Sequence, residues 1–207
     1  NYVNSPIGNL MKVGILSDIH GDYGALETTL NKLKIEHQVS RILCAGDLVG
    51  RGPEQNRVVD CIRENKITTV RGNHDEWFYG ISDANSDFLK TLPIDWKGKV
   101  GGRRVFMCHG KPGNNMWGMY RDHLSETYLS MVLKSLKMDV LVSGHTHMPL
   151  YMRVDEGVLL NPGSLYTFES SRQTSQTYGV LDMETLDFNV FRTNSETVEP
   201  AEVEYEY

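Results

Sequence analysis

The sequence predicts an α/β fold, and two observations carry this prediction. In the first half, apolar segments of strand length end in glycine-containing polar loops and alternate with amphipathic helices, which is typical of parallel βαβ units. From about Lys99 onward, short alternating segments separated by turns predict mainly antiparallel strands. Because the chain has 207 residues and 40% hydrophobic content, we expect a single domain with a sizeable core.

Three short strands and two helices are predicted in the first half, followed by a short helix around Asp83 to Lys90. The strands are predicted over residues 13–16, 42–45 and 67–70. The first helix is predicted over 23–37, with Asp22 as its N-cap. The second helix is expected to include Pro53 in its first turn and to continue to about Glu64.

One further helix and six short strands are predicted in the second half. The strands are predicted over residues 103–108, 140–142, 150–154, 158–160, 178–181 and 188–192. The helix is predicted over 125–137, and its spacing places Tyr128, Met131, Val132 and Leu136 on the apolar side. We therefore expect this helix to pack on the strands around it.

The two ends of the chain are expected to lie outside the main fold. Residues 1–10 are interpreted as a remnant of the expression vector, because the chain begins with Asn1 and the natural start is expected at Met11. The domain is assigned to 11–195. The acidic segment 196–207 is expected to be either a solvated tail or an edge strand.

Composition excludes several classes of partner. A net charge of −6 argues against a broad nucleic-acid-binding surface, and no apolar segment approaches the ~20 residues that span a bilayer. We therefore expect a cytoplasmic protein, and its oligomeric state stays open between a monomer and a homodimer. Cys44, Cys61 and Cys108 lie in apolar segments without metal-ligand spacing, so we expect buried, reduced thiols.

Polar side chains that can bind metals follow five predicted strands. Asp18 and His20 come directly after the first strand, and residues two apart on an extended segment face the same side. The carboxyl ends of strands in open α/β sheets are also where ligands bind. In chain order, the groups at these strand ends are Asp18, His20, Asp47, Asn73, His74, His109, His145 and His147.

The number and type of these groups predict a metal site. One such residue is more often a helix cap or a structural histidine, but eight of them at five strand ends favour metal binding. Carboxylate, imidazole and amide donors suit Mn²⁺, with Fe²⁺, Zn²⁺ or Ni²⁺ as alternatives, and they exceed what one tetrahedral ion can use. We therefore expect two divalent ions. Such a pair clamps a phosphoryl group and activates water, so phosphoester hydrolysis is the predicted reaction.

These motifs resemble the five ordered signatures of the calcineurin-like metallophosphoesterases. The resemblance extends from Met11 to about Ser164. It implies a four-layer αββα sandwich of two mixed sheets. The matching motifs are Asp18-x-His20, Gly46-Asp47, Gly72-Asn73-His74-Asp75, His109 and Gly144-His145-Thr146-His147.

The resemblance also implies a role for each residue. Asp47 would bridge the two metals, and His74 would be the general acid that protonates the leaving group after in-line attack by a metal-bound hydroxide. One metal would be bound by Asp18, His20, Asp47 and His147, and the other by Asp47, Asn73, His109 and His145.

Two loops are similar to those of small bacterial and archaeal phosphodiesterases of the family. They are Gly50-Arg51-Gly52-Pro53 and Asn161-Pro162-Gly163-Ser164. Arg51 matches the substrate-binding arginine of the Val-Asp-Arg-Gly motif in protein phosphatases and dinucleoside tetraphosphate hydrolases. It is interpreted either as a phosphate clamp or as a solvated side chain. Gly50 replaces the aspartate that orients the acid histidine in protein phosphatases, which argues against that branch.

The predicted function is a dimetal hydrolase of phosphodiesters or phosphomonoesters. The enzyme alternatives are a Ser/Thr-type protein phosphatase and a dinucleoside polyphosphate hydrolase. An alternative of another class is a non-catalytic protein-interaction scaffold, against which the presence of His74 argues. Residues 76–99 and 111–123 are expected to cover the site.

Four further side chains carry expectations of their own. Trp117 and Tyr120 could stack on a base or an aryl group, but structural packing is the expected role. His37 and His123 fall outside the motifs and are expected at the surface.

Overall fold

A computed structural model describes residues 11–167 and 176–195. The first of its two sheets is mixed, because the three early strands run parallel and the two late strands join them antiparallel. Its strands are β1 (Lys12–Leu16), β2 (Arg41–Cys44), β3 (Thr68–Thr69), β9 (Thr177–Asp182) and β10 (Phe188–Arg192), in the spatial order β10-β9-β1-β2-β3. The parallel part directs the ends of β1, β2 and β3 to one edge.

The second sheet is also mixed, although most strand pairs in the second half are antiparallel, as expected. Its strands are β4 (Asp95–Val100), β5 (Arg103–Cys108), β6 (Val140–Val142), β7 (Pro149–Val154) and β8 (Gly157–Pro162), in the order β4-β5-β6-β8-β7. The β4–β5 and β7–β8 pairs are antiparallel, but β6 runs parallel to both of its neighbours. A helix connects β5 to β6 and returns the chain to the same end of the sheet, which makes a parallel pair possible.

Helices cover the outer faces of the two sheets. They are α1 (Tyr23–Asn31), which continues as a π-helix over Lys32–Glu36, α2 (Gln55–Glu64), α3 (Asp83–Thr91) and α4 (Glu126–Leu136). The first three pack on the first sheet, α4 packs on the second, and a third apolar cluster lies between the sheets. The predicted four-layer αββα sandwich is thus confirmed.

The helix ends and faces agree only in part with the predictions. Asp22 caps α1, since its carboxylate accepts the N–H of Ala25 at 3.0 Å. Pro53 lies before the first turn of α2, which begins at Gln55. The predicted apolar face of α4 is right only in part: Val132 and Leu136 pack against the buried cluster, but the fully buried residues of the helix are Leu129 and Leu133.

Tyr128 and Met131, which were predicted on the buried side of α4, are instead exposed.

The two histidines outside the motifs were both expected at the surface, and this is wrong for His37. It is buried, and one of its ring nitrogens lies 2.9 Å from the hydroxyl of Tyr178. His123 is exposed, as expected.

Other expectations concern the thiols, the membrane and the chain ends. Cys44 and Cys108 are buried and Cys61 is half-buried, all three as free thiols. None of the helices in the described ranges is long and apolar enough to cross a membrane. The expectations for residues 1–10 and 196–207 lie outside the described residues.

Candidate metal centre

The loops that carry the predicted ligands have an unusual backbone conformation. Within the described ranges, nine residues other than glycine have a positive φ, and five of these are predicted ligands. Left-handed backbone disfavours residues with a Cβ atom, and such strain is concentrated at functional sites. The five are Asp18 (53°), His20 (49°), Asp47 (55°), His145 (67°) and His147 (59°).

One group of donor atoms comes from the loops that follow β1 and β6. Nε2 of His147 lies 3.1 Å from Oδ1 of Asp18 and 3.2 Å from Nε2 of His20. Nε2 of His20 lies 3.9 Å from the same Asp18 oxygen. Ligand atoms that each lie about 2.0–2.2 Å from a shared cation are separated by about 3–3.5 Å. The first group therefore has roughly the spacing of a cation site.

A second group of donor atoms comes from the loops that follow β3, β5 and β6. Oδ1 of Asn73 lies 3.1 Å from Nε2 of His109 and 3.0 Å from Nδ1 of His145. The two imidazoles approach each other to 3.3 Å. This group also has the spacing of ligands around one cation.

Asp47 lies between the two groups. Its Oδ2 atom is 3.6 Å from Nε2 of His20 in the first group and 3.3 Å from Nε2 of His109 in the second. The carboxylate is almost fully buried. One carboxylate within reach of both groups is the arrangement that a bridging ligand requires.

The backbone orients two of the imidazoles toward the centre. Nδ1 of His20 lies 3.0 Å from the carbonyl oxygen of Val49, and Nδ1 of His109 lies 2.8 Å from that of Ala45. A carbonyl oxygen can only accept a hydrogen bond, so each ring, when neutral, carries its proton on Nδ1 and turns the Nε2 lone pair toward the other ligand atoms.

Asp18 supplies a second sign that the centre fits cations. Its Oδ1 atom is buried and accepts no hydrogen bond from the described residues. A buried acceptor without a donor is costly, and a cation would satisfy it. The predicted ligands therefore fit two divalent cations.

The charges in the centre compensate one another. Burial alone would raise the pKa of Asp18, but the nearby imidazoles of His147, His109 and His20 lower it well below its usual range. Burial lowers the pKa of His109, yet the Asp47 and Asp18 carboxylates outweigh this and raise it to about 10. The two carboxylates therefore favour positive charge at this point of the centre, which a bound cation would also supply.

Sequence reasoning missed a positioning role for Asp75. This buried carboxylate accepts hydrogen bonds from the backbone N–H groups of Asp47 at 2.9 Å, Leu48 at 2.7 Å, Val49 at 3.2 Å and Gly72 at 2.8 Å. It thereby joins the loop that follows β2 to the loop that follows β3. The only signal in the sequence is its place two residues after Asn73, because the four donors come together only in the fold.

His74 begins a short 3₁₀ helix, His74–Glu76, at the edge of the centre. Its backbone N–H donates to Oδ1 of Asp47 at 2.8 Å, and its half-buried ring lies 4.9 Å from the ring of His20, edge to face. Burial lowers the pKa of His74, Asp47 opposes this, and the positive charge of Arg51 adds to the lowering. Arg51 is exposed, and its charge is close enough to act on His74.

Gly50 explains why this loop differs from the protein-phosphatase motif. A Cβ atom at Gly50 would lie 2.7 Å from Nδ1 of His74 and 2.9 Å from its Cβ atom. The φ of Gly50 is +113°, a value that side chains with a Cβ rarely adopt. An aspartate cannot occupy this position while His74 stays where it is.

The two segments expected to cover the site differ in their positions. In 76–99, α3 packs against α2, and β4 forms the edge of the second sheet, so that prediction is wrong for most of the segment. In 111–123, the structural packing expected for the two aromatics is also wrong, because Trp117 is 66% exposed and Tyr120 43% exposed.

A cavity of about 510 Å³ lies elsewhere, at the opposite end of the first sheet. It is lined by residues at the beginning of β2 and β3, including Arg41, Ile42 and Thr68. None of the predicted ligands lines this cavity, so it is not part of the candidate metal centre. The candidate centre lies at the other end of the sheet, where the strands end.

Comparisons with known proteins agree with this geometry. Residues 11–186 match the family described as calcineurin-like phosphoesterase superfamily domain. A probable metallophosphoesterase of Methanothermobacter thermautotrophicus is 31% identical over 189 residues, covering 89% of this chain and 94% of that protein. The phosphodiesterase YfcE of Escherichia coli is 28% identical over 201 residues, covering 91% and 96%.

A solved structure shows the likeness in fold. The hypothetical protein PH1004 of Pyrococcus horikoshii superposes with a TM-score of 0.74 at 21% identity, covering 88% of this chain and 87% of that one. The resemblance seen in the sequence motifs is thus confirmed by an independent match over most of the chain. The chain belongs to the calcineurin-like phosphoesterase superfamily.

Proposed function

We propose that the protein hydrolyses phosphoric esters with the help of two divalent cations. The observation that carries the proposal is the position of Asp47, whose Oδ2 atom lies 3.6 Å from a histidine of one donor group and 3.3 Å from a histidine of the other. The first cation would be held by Asp18, His20, Asp47 and His147, and the second by Asp47, Asn73, His109 and His145. Mn²⁺ is the first choice, because the donors are oxygen and nitrogen atoms only.

Each part of the centre has a distinct task in this proposal. Cations at the two sites would neutralise the phosphoryl oxygens and supply the attacking water. The buried carboxylates and imidazoles would fix the geometry, since their ligand atoms lie within about 3–4 Å of one another. His74, which is half-buried beside Asp47, would donate a proton to the departing oxygen.

Phosphodiesters and simple phosphomonoesters are the proposed substrates. The ring of His74 occupies the space that the side chain of an aspartate at position 50 would need. The aspartate that orients the acid histidine in protein phosphatases therefore has no room here, which argues against that alternative. Arg51 favours a substrate with an additional phosphate, as in a dinucleoside polyphosphate, because its charge lies near His74. The panel of substrates therefore has to include both kinds.

The test is a panel of phosphate esters assayed after removal and return of metal. We expect chelation to abolish hydrolysis and Mn²⁺ to restore it, with bis(p-nitrophenyl) phosphate cleaved faster than a phosphopeptide. Diadenosine tetraphosphate tests the additional-phosphate alternative in the same assay. Full activity in the chelated protein would contradict the proposal, and no activity on any ester with any divalent metal would favour the scaffold.

A further inference from the structure

Two tryptophans are exposed on the loops beside the metal centre. Trp77 is 74% exposed and Trp117 is 66% exposed, whereas Trp96 of β4 is half-buried. Indole rings are usually covered in a folded domain, so exposed ones next to a reactive centre mark a contact surface. We call Trp77 and Trp117 the tryptophan pair.

Trp117 is fixed beside the second donor group. Oδ1 of Asn114 accepts the backbone N–H groups of Met116 at 2.8 Å and of Trp117 at 3.1 Å. The next residue, Gly118, lies so close to His145 that a Cβ atom on it would be 3.0 Å from the imidazole. The indole is therefore presented from a backbone that packs directly against a predicted ligand.

Trp77 is fixed at the end of the turn that carries His74. Its backbone N–H donates to the carbonyl of His74 at 3.3 Å. The preceding residue, Glu76, accepts a 3.0 Å hydrogen bond from the side chain of Asn115, which is itself buried. This bond ties the two loops together, so both tryptophans belong to one rim of the centre.

A positive charge completes this surface. The ammonium group of Lys111 lies 6.0 Å from the centre of the Trp117 ring. An exposed indole, a nearby cation and the proposed phosphoryl-binding centre together suit a ligand that combines an aromatic plane with negative charge. An aliphatic ester group would leave the flat ring without a stacking partner.

We infer that the tryptophan pair binds a planar aromatic group of the substrate, either an aryl ring or a nucleobase, while the phosphoryl group lies at the metal centre. The inference rests on the proposed function, and it names the substrate class of that same site. Stacking of one base on an aromatic side chain corresponds to an affinity gain of about 5- to 100-fold.

Binding of stable phosphonates to the Mn²⁺-loaded protein tests this inference without catalysis. Calorimetry would compare methylphosphonate with phenylphosphonate, and the methylene phosphonate analogue of ribose 5-phosphate with that of adenosine monophosphate. We expect the ring-bearing ligand of at least one pair to bind about 5- to 100-fold more tightly. The first pair reports an aryl preference and the second a nucleobase preference.

Substitutions assign the gain to the tryptophan pair. Trp117→Ala and Trp77→Ala are each expected to reduce the gain, and Trp117→Phe to retain part of it. Ile35→Ala is the matched control, because Ile35 is an exposed apolar side chain (69%) at the distant end of the first helix. Quenching of indole fluorescence by the aromatic ligand provides a second readout in the unaltered protein.

The outcomes separate the two proposals. Binding of methylphosphonate with no gain from either ring, or a gain that survives in both alanine variants, would overturn the inference and leave the proposed function standing. Failure of every phosphonate to bind the metal-loaded protein would overturn both.

Discussion

The floor of the candidate metal centre and its rim differ in how they are built. On the floor, Asp18, His20 and His109 are fully buried, and their donor atoms are held by backbone groups and strained loops. On the rim, Arg51 and the tryptophan pair are exposed to solvent. A buried floor whose side chains are held by the backbone suits chemistry that is the same for every substrate. An exposed rim suits recognition, because its side chains can be exchanged without disturbing the fold.

This comparison predicts that substitutions on the floor change metal content, whereas substitutions on the rim change selectivity between esters. Asp47→Ala should have the largest effect. Both cation sites lose a ligand at once, so we expect metal content to fall and turnover to drop to the uncatalysed background. Metal analysis and bis(p-nitrophenyl) phosphate hydrolysis check this together.

The matched control for Asp47→Ala is Asp60→Ala on α2, since that carboxylate pairs with Arg63 outside the centre. It should keep both metal and activity. An Asp47→Ala protein that still binds two metal equivalents would show that this carboxylate is not the bridge, and the division between floor and rim would lose its main support.

His74 lies at the boundary between the two regions. His74→Ala should leave metal content near that of the unaltered protein and lower turnover on the order of 10²–10⁴-fold for an alkyl leaving group. The loss should be much smaller for p-nitrophenolate, which departs without a proton. His123→Ala, which removes an exposed histidine outside the centre, is the control. Loss of metal in the His74 variant would instead make His74 part of the floor.

Gly50 tests whether the position of His74 matters. Gly50→Ala inserts a Cβ atom 2.7 Å from Nδ1 of His74, so the ring has to move. We expect turnover on an alkyl ester to fall about 10- to 100-fold, the cost of a misplaced catalytic group.

Gly102→Ala separates this effect from backbone strain. Gly102 also has a positive φ, +83°, but nothing lies within 4 Å of the added atom. Both variants should have a lower midpoint of thermal unfolding than the unaltered protein. Only Gly50→Ala should also lose turnover when the folded proteins are compared. Equal losses of activity in the two variants would reduce the role of Gly50 to backbone conformation alone.

The same division explains what the sequence could and could not predict. The floor was predictable, because Asp18, Asp47 and His145 each follow an apolar strand and parallel strands end at one edge. Asp75 escaped prediction, since its four backbone donors come from two loops that meet only in three dimensions. The face of α4 was misjudged in part, because Leu129 and Leu133 compete with neighbouring apolar residues at similar helical spacing.

The rim was hardest to predict. From the sequence, Trp117 is expected to pack structurally, as most tryptophans do, although the Pro112-Gly113-Asn114-Asn115 segment before it is typical of a surface loop. Its exposed position depends on the turn that Asn114 stabilises and on the contact of Gly118 with His145. The first contact lies within one loop and the second joins two loops, and loops carry no hydrophobic periodicity. Substrate selectivity is therefore the part of the function that the motifs specify least.

Arg51 is expected to show the smallest effect. Because its side chain is exposed, a contact with a substrate phosphate is screened by water, and Arg51→Ala should raise KM about 2- to 5-fold while turnover changes less. Arg51→Lys keeps the charge but not the planar fork, so an intermediate KM would indicate paired hydrogen bonds to phosphate oxygens. If Arg51 recognises an additional phosphate, the rise in KM should be larger for diadenosine tetraphosphate than for bis(p-nitrophenyl) phosphate. Unchanged kinetics on both esters would make Arg51 a solvated side chain and leave recognition on the rim to the tryptophan pair.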